Sequence, residues 1–473
     1  MLFTSIVFLC FFLPLMLLGY FFVPQKYKNL YLLIFSLIFY IWGEKGYVFL
    51  LLSTIALNYF CSILITKGYR KTGLGISVVL SLASLFYFKY ANFAYTNIVE
   101  LFNYLNIDSS FLIVPHVVLP LGISFFTFQV LSYTIDVYRG TVHASKSFLN
   151  FATYVTLFPH LIAGPIVRYA DIEAQLQEKD ITAERIAQGI ERFILGLAKK
   201  MFIANNCAII ADTIFNLNPE FFSPGAAWLA AIAYTLQIFF DFSAYSDMAI
   251  GLARIFGINF HENFNYPYTS DSIKDFWRRW HISLSSWFRD YLYIPLGGNR
   301  KGKYRTYINL SIVFLATGLW HGASWNFVFW GVWHGFFIVI ERVGFDKILE
   351  RTFKPIQYIY TLLVVVIGWV FFRASDFTYA LDFLKRMFYI DSDITNTVYF
   401  ADSFLNIKNT IVVFLAILLC FPIFPYFRDK INTISNKYSV INIGYYLFLV
   451  VLLFSVLSML SLGTYNPFIY FRF

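Results

Sequence analysis

The chain has 473 residues, 59% of them hydrophobic and only 13% charged, with a mean hydropathy of +0.64, a balance outside the usual range of soluble domains of this length. It reads as an integral membrane protein, and its nine excess positive charges fit basic cytoplasmic loops rather than a nucleic-acid surface. Four cysteines, Cys10, Cys61, Cys207 and Cys420, stand in apolar segments without CxxC or Cys/His spacing and say nothing about redox compartment.

Apolar runs long enough to cross a bilayer as helix recur at roughly 3–23, 30–42, 47–65, 73–93, 112–137, 225–257, 306–341, 356–373, 408–427 and 440–463, which predicts ten or so crossings. The runs are continuous rather than alternating in period two, so a β-barrel is excluded. The first run has neither a basic flank before it nor a small-residue cleavage site after it and is expected to be a retained helix. With no internal repeat or low-complexity linker, the expected architecture is an all-α polytopic membrane protein forming one domain over 1–473. Amino-terminal helices occupy 1–145, a core with re-entrant or interfacial segments 146–345, and further helices with an extracytoplasmic tail 346–473.

Loop charge sets the expected orientation. Lys26 and Lys28, then Lys67, Arg70 and Lys71, then Arg139 and Lys146 follow the first, third and fifth runs; those loops are cytoplasmic and the N-terminus is outside. The same rule puts Arg342, Lys347, Arg351 and Lys354 inside, 376–393 outside, and Arg428, Lys430 and Lys437 inside, leaving the C-terminus outside. The region 150–257 must then cross an even number of times, although ERIAQGIERFILGLAKKMF within it has the charge of an interfacial or re-entrant helix.

Costly residues inside apolar spans are Asp241 and Asp247, then His321 and His334. Each is a functional candidate, and for the two aspartates the alternative is pairing with an Arg or Ser of a neighbouring helix. The segment 274–305 holds eight Lys/Arg against two Asp, with Trp277, Trp280, Trp287 and Phe288 interleaved. It is either an anchor with Trp and Arg at headgroup level or the lining of a cytoplasmic vestibule for a phosphate-rich donor, with Arg278, Arg279, Arg289 and Arg300 as ligands. In GLWHGASW, Gly318, Gly322, Ala323 and Ser324 strip side-chain bulk from around His321, leaving room for another helix or a substrate, with Trp320 and Trp325 as candidate walls. A neutral buried imidazole there is either a hydrogen-bonded core residue or a general base for acyl transfer to a hydroxyl. His321 lies 13 residues from His334 and 40 from His281 with no HExxH or carboxylate cluster, so no metal site is expected.

DFWRRWHISLSSWFRDYLYIPLGGNR at 275–300 with GLWHGASWNFVFWG at 318–331 resembles the membrane-bound O-acyltransferases. LPLGISFFTFQVLSYTIDVYRG at 119–140, FPHLIAGPIVRYADI at 158–172 and YTLQIFFDFSAYSDMAIGLARIFGI at 234–258 extend the likeness over most of the chain. The IPLGGNR continuation and the ending GTYNPFIYFRF are similar to the bacterial branch that O-acetylates exported polysaccharides such as alginate or peptidoglycan; the teichoic-acid D-alanylation branch ranks second. The resemblance implies a helical funnel in the inner membrane, acetyl-CoA as cytoplasmic donor, no metal, and His321 and His281 as catalytic residues, with His334 structural. It also implies a polysaccharide acceptor and a separate exported partner of SGNH type with a serine nucleophile. The ending NPFIYFRF is an aromatic interfacial anchor or, by likeness to the FxYF-type ending of a small companion protein in the D-alanylation system, an acyl relay through Tyr470. A transporter or export subunit would show matched halves or broken helices, which this chain lacks, and a non-catalytic scaffold has no use for an imidazole in a small-residue pocket.

Overall fold

In the computed structural model, residues 1–109, 112, 117–390, 397–423, 426 and 439–467 are described. Among them the chain is helical, and the one pairing of extended backbone is an isolated parallel bridge between Phe222 and Tyr399. Seven helices are long and apolar enough to cross a membrane, and two shorter apolar ones, Phe8–Phe22 and Ile407–Leu419, accompany them. The contacts group into two compact units, Met1–Ala187 with Leu252–His261, and Gln188–Gly251 with Glu262–Phe473. The sequence blocks 1–145, 146–345 and 346–473 do not coincide with these units.

The first unit is built from α1 (Phe8–Phe22), α2 (Lys28–Gly43), α3 (Val48–Thr66), α4 (Arg70–Tyr104), α5 (Ile123–Arg139), α6 (Phe148–Thr156) and α7 (Tyr169–Gln177). Apolar surface alone does not sort helices in lipid, so small and polar residues specify the contacts. On α3, Asn58 reaches Ser77 at 2.6 Å and Ser81 at 3.1 Å on α4, and Thr134 of α5 donates to its Oδ1 at 3.0 Å. Gly122 starts α5 at φ +76°, where an added Cβ would also meet the Leu161 carbonyl at 2.6 Å. Within the apolar run 112–137, α5 therefore begins at Ile123.

The second unit contains α8 (Ala183–Phe215, from Gln188 onward), α9 (Pro224–Ile255), α10 (Ile273–Arg279), α11 (Ile282–Phe288), α12 (Lys303–His321), α13 (Trp325–Ile340), α14 (Lys354–Arg373), α15 (Phe377–Met387), α16 (Ile407–Leu419) and α17 (Ser439–Ser461). The charged stretch expected to be interfacial or re-entrant is part of α8, one of the seven long apolar helices. With α9 it makes two long apolar helices in 150–257. Ala226, Ala227, Ala230, Ala231 and Ala233 are all buried along α9, as befits a helix apolar all round. The single apolar run 306–341 is two helices, α12 and α13, because residues 322–324 form a tight turn and the two helices pack on glycine. A Cβ on Gly318 would lie 2.3 Å from the Phe327 carbonyl, and one on Gly331 would lie 2.4 Å from the Phe314 carbonyl. Close helix approach, one of the two uses of space expected around GLWHGASW, is thus realised at Gly318.

Candidate active site

His281 sits at the elbow between α10 and α11 with φ 42°. A non-glycine residue in that left-handed region is uncommon and is retained where surrounding contacts over-determine it. Those contacts come from Asn263, whose Oδ1 accepts from the Ser283 amide at 3.1 Å and the Ser283 hydroxyl at 2.9 Å and lies 3.2 Å from His281 Nδ1. Fixed as an acceptor by the Ser283 amide, Asn263 Oδ1 takes the Nδ1 proton of His281, so the lone pair is on Nε2. Nε2 is buried and has no hydrogen-bond partner among the described residues. Burial lowers the pKa of this imidazole to about 3, keeping it neutral. Asn263 was not singled out in the sequence; an amide 18 residues away carries no local signal.

His321 is the last residue of α12, immediately before the turn into α13. It is 4% exposed and stands among aromatic rings, with Trp330 at 4.9 Å, Trp320 at 5.0 Å and Phe372 at 5.2 Å between centroids. Trp320 also lies 6.0 Å from the His281 ring, so one indole links the two histidines that the sequence places 40 residues apart. Trp325, the other expected wall, is 58% exposed; Trp330 and Phe372 take that place. His334 is fully buried against Trp277 at 5.2 Å and Trp330 at 5.0 Å.

The tryptophans of 274–305 are not at a surface, since Trp277, Trp280 and Trp287 are all buried. A cavity of about 750 Å³ is lined by Lys274, Trp277, Arg278, Arg289, Glu341 and Arg342 among others. It thus gathers Arg278 and Arg289 from the expected set and adds Lys274 and Arg342. Glu341 caps α10, accepting from the Ile273 and Lys274 amides at 2.7 and 2.9 Å, Asp346 also lines the cavity and Arg289 pairs with Asp290 at 2.7 Å, so four basic side chains meet two carboxylates in the lining. Arg279 instead pairs with Asp275 at 2.8 Å, and Arg300 is exposed beyond the cavity lining. Neither His281 nor His321 lines the cavity. Ile282, the residue after His281, does, and Trp277 in its wall packs on Trp330 at 5.6 Å, the same indole that contacts His321. The dimensions suit a sizeable ligand, and the lining suits phosphate.

The intramembrane aspartates are paired. Asp241 meets Lys200 at 2.8 Å with both side chains buried, and Asp247 receives Lys199 at 2.6 Å and Arg192 at 2.8 Å. Their partners, Arg192, Lys199 and Lys200, all lie on α8, within the stretch whose charge made it look interfacial. Tyr470 lies outside the described residues, which end at Pro467, and Pro467 accepts a hydrogen bond from Lys200. Among the described residues no group of three His, Cys, Asp or Glu side chains is arranged to hold a metal ion.

Residues 38–379 match the model of the membrane-bound O-acyltransferase family. The chain is 45% identical to a probable alginate O-acetylase of Azotobacter vinelandii over 82% of its own length and 78% of the relative's. It is 41% identical to a probable alginate O-acetylase of Pseudomonas putida over the whole of both chains. It is 36% identical to the peptidoglycan O-acetyltransferase of Helicobacter pylori over 90% of this chain and 87% of the relative.

Proposed function

The chain belongs to the membrane-bound O-acyltransferase family, and from that premise we propose that it takes acetyl from acetyl-CoA at the cytoplasmic face and passes it outward for O-acetylation of an exported polysaccharide, alginate-like or peptidoglycan. The observation that carries the reading is the juxtaposition of His281 and His321 about Trp320, in the unit that also holds the basic cavity. The enzyme is a multipass protein of the inner membrane with both termini outside.

Arg278 and Arg289, with Lys274 and Arg342, hold the phosphates of coenzyme A; Arg279 and Arg300 add charge to the approach. His321 takes the proton of the acceptor hydroxyl as the oxygen attacks the thioester carbonyl. The C–S bond breaks, and coenzyme A leaves as the thiol after receiving that proton. His281, oriented by Asn263, positions the donor or the imidazole of His321.

Tyr470 is the first acceptor in this scheme. It lies three positions after Pro467, about 10 Å of extended chain, and Pro467 is held by Lys200, the partner of Asp241. The ring of Phe242, next to Asp241, packs on His281 at 4.7 Å, so the reach is of the right order. The aryl ester passes its acetyl group to the serine of an exported SGNH-type partner, regenerating the phenol, and the partner acetylates the polysaccharide.

Purified protein with radiolabelled acetyl-CoA tests the scheme. Wild type should release coenzyme A and become labelled, with the acetyl group on Tyr470 by intact-protein mass spectrometry. His321→Ala should stay folded and lose about 10²–10⁴-fold in rate, the usual contribution of a general base. Normal acetylation by well-expressed His321→Ala overturns the assignment of the base; normal glycan acetylation by Tyr470→Phe overturns the relay and leaves the tail an anchor.

A further inference from the structure

The last described residues lie along α8 as a ladder. The Tyr465 hydroxyl donates to Asp212 Oδ2 at 2.6 Å, Asn466 Oδ1 accepts from Asn205 Nδ2 at 3.1 Å, and the Pro467 carbonyl accepts from the Lys200 ammonium. Consecutive tail residues thus meet helix positions of falling number, so the tail runs antiparallel to α8. Positions 212 and 200 are about 18 Å apart along a helix, whereas residues 465–467 extend over about 7 Å. The long side chains of Tyr465 and Lys200 make up the difference, which leaves little freedom to slide the tail.

Both outer anchors are themselves held from other helices. Arg373 of α14 donates to Asp212 through Nε at 3.1 Å, with both side chains under 10% exposed. Asp241 of α9 pairs with Lys200. Anchors already immobilised lose little further freedom when the tail docks, and a docked state of one geometry is favoured.

We propose that Asp212, Asn205 and Lys200 are positioning residues that seat the C-terminal tail on α8 in a single register, so that the chain beyond Pro467 starts at the Lys200–Asp241 pair. Their effect on the reaction rests on the tyrosine relay described above; the docking itself does not. The ladder accounts for Asn205 and Asp212 on α8, and it gives the tail a fixed path rather than a free end in the interfacial layer.

The test uses the full-length protein with its four native cysteines replaced by serine or alanine, carrying Asn205→Cys and Asn466→Cys. A short bis-thiosulfonate reagent should bridge these two positions, and should bridge the mismatched pair Ile209→Cys with Asn466→Cys at least about tenfold more slowly. Adding Tyr465→Phe removes one hydroxyl and leaves both buried ion pairs intact, so folding is retained. Losing that charge-assisted hydrogen bond should slow bridging about tenfold and lower glycan acetylation. Closing the bridge should restore acetylation by holding the tail in register, which a merely stabilising role of the hydroxyl does not predict. Equal bridging of matched and mismatched pairs overturns the register, and full acetylation by unbridged Tyr465→Phe overturns the positioning role. If Tyr470→Phe acetylates normally while Tyr465→Phe does not, the relay fails and the positioning of the tail stands.

Discussion

Replacing Gly318 by alanine tests how the α12–α13 turn aims His321. The added Cβ would begin 2.3 Å from the Phe327 carbonyl and 3.2 Å from the Gly331 Cα, and ordinary contact begins at 3.4 Å, so the two backbones must part by about 1 Å. Neither neighbour is the end of a flexible side chain. Overpacking of this kind destabilises by about 1–3 kcal/mol. His321 lies one helical turn beyond Gly318 on the same helix, so it shares the displacement, and a misplacement of about 1 Å in a reacting group lowers rate on the order of 10²-fold. The expected result for purified Gly318→Ala is a thermal midpoint several degrees lower and acetyl transfer per folded molecule down about 100-fold. Two other glycines grade the argument. A Cβ on Gly335 meets only the Phe314 side chain at 3.0 Å, and one on Gly75 meets nothing within 4 Å. Gly335→Ala should therefore lose a few-fold in rate, and Gly75→Ala should be neutral or slightly stabilising, since alanine is the better helix former. Wild-type transfer by the folded fraction of Gly318→Ala would refute the claim that this contact sets the position of His321.

His281→Asn should retain part of the activity, because His281 positions rather than transfers the proton; a loss as complete as that of His321→Ala counts against that division. Charge reversal of Arg278 and Arg289 together should raise KM for acetyl-CoA far more than it lowers kcat, since ground and transition states share the attraction, and an unchanged KM removes the cavity from donor binding. The His281 imidazole, with a folded pKa lowered to about 3 against about 6.5 unfolded, makes the unfolded state bind more protons between those values. Its contribution to stability is full above about pH 6.5 and is lost progressively as pH falls toward 3. Denaturation midpoints from pH 7 to 4 should thus fall more steeply for wild type than for His281→Asn; parallel slopes would contradict the buried neutral imidazole.

Much of the protein was legible in local composition. Apolar runs and loop charge identify a helical membrane protein, the segments 275–300 and 318–331 identify the family, and the two histidines stand out because an imidazole in an apolar or Trp-rich stretch needs a reason. That Asp241 and Asp247 need partners also followed from the penalty on unpaired charge in a membrane, although Lys199 and Lys200 join Arg192 where an arginine or serine was expected. Other features depended on which helices meet, and periodicity along one helix does not encode that. The turn at 322–324 looks like small residues inside one apolar run until Gly318 and Gly331 are seen to meet. Asn263 becomes a partner of His281 only because the chain before α10 returns past the elbow. Arg278 and Arg289 share a cavity with Arg342, whereas Arg279, their neighbour in sequence, points 100° around the helix and pairs with Asp275. The tail shows the same division most plainly. Its aromatic ending was visible from the start, but that Tyr465, Asn466 and Pro467 descend along α8 to Lys200 is a contact between residues more than 250 positions apart, and only the folded chain brings such residues together.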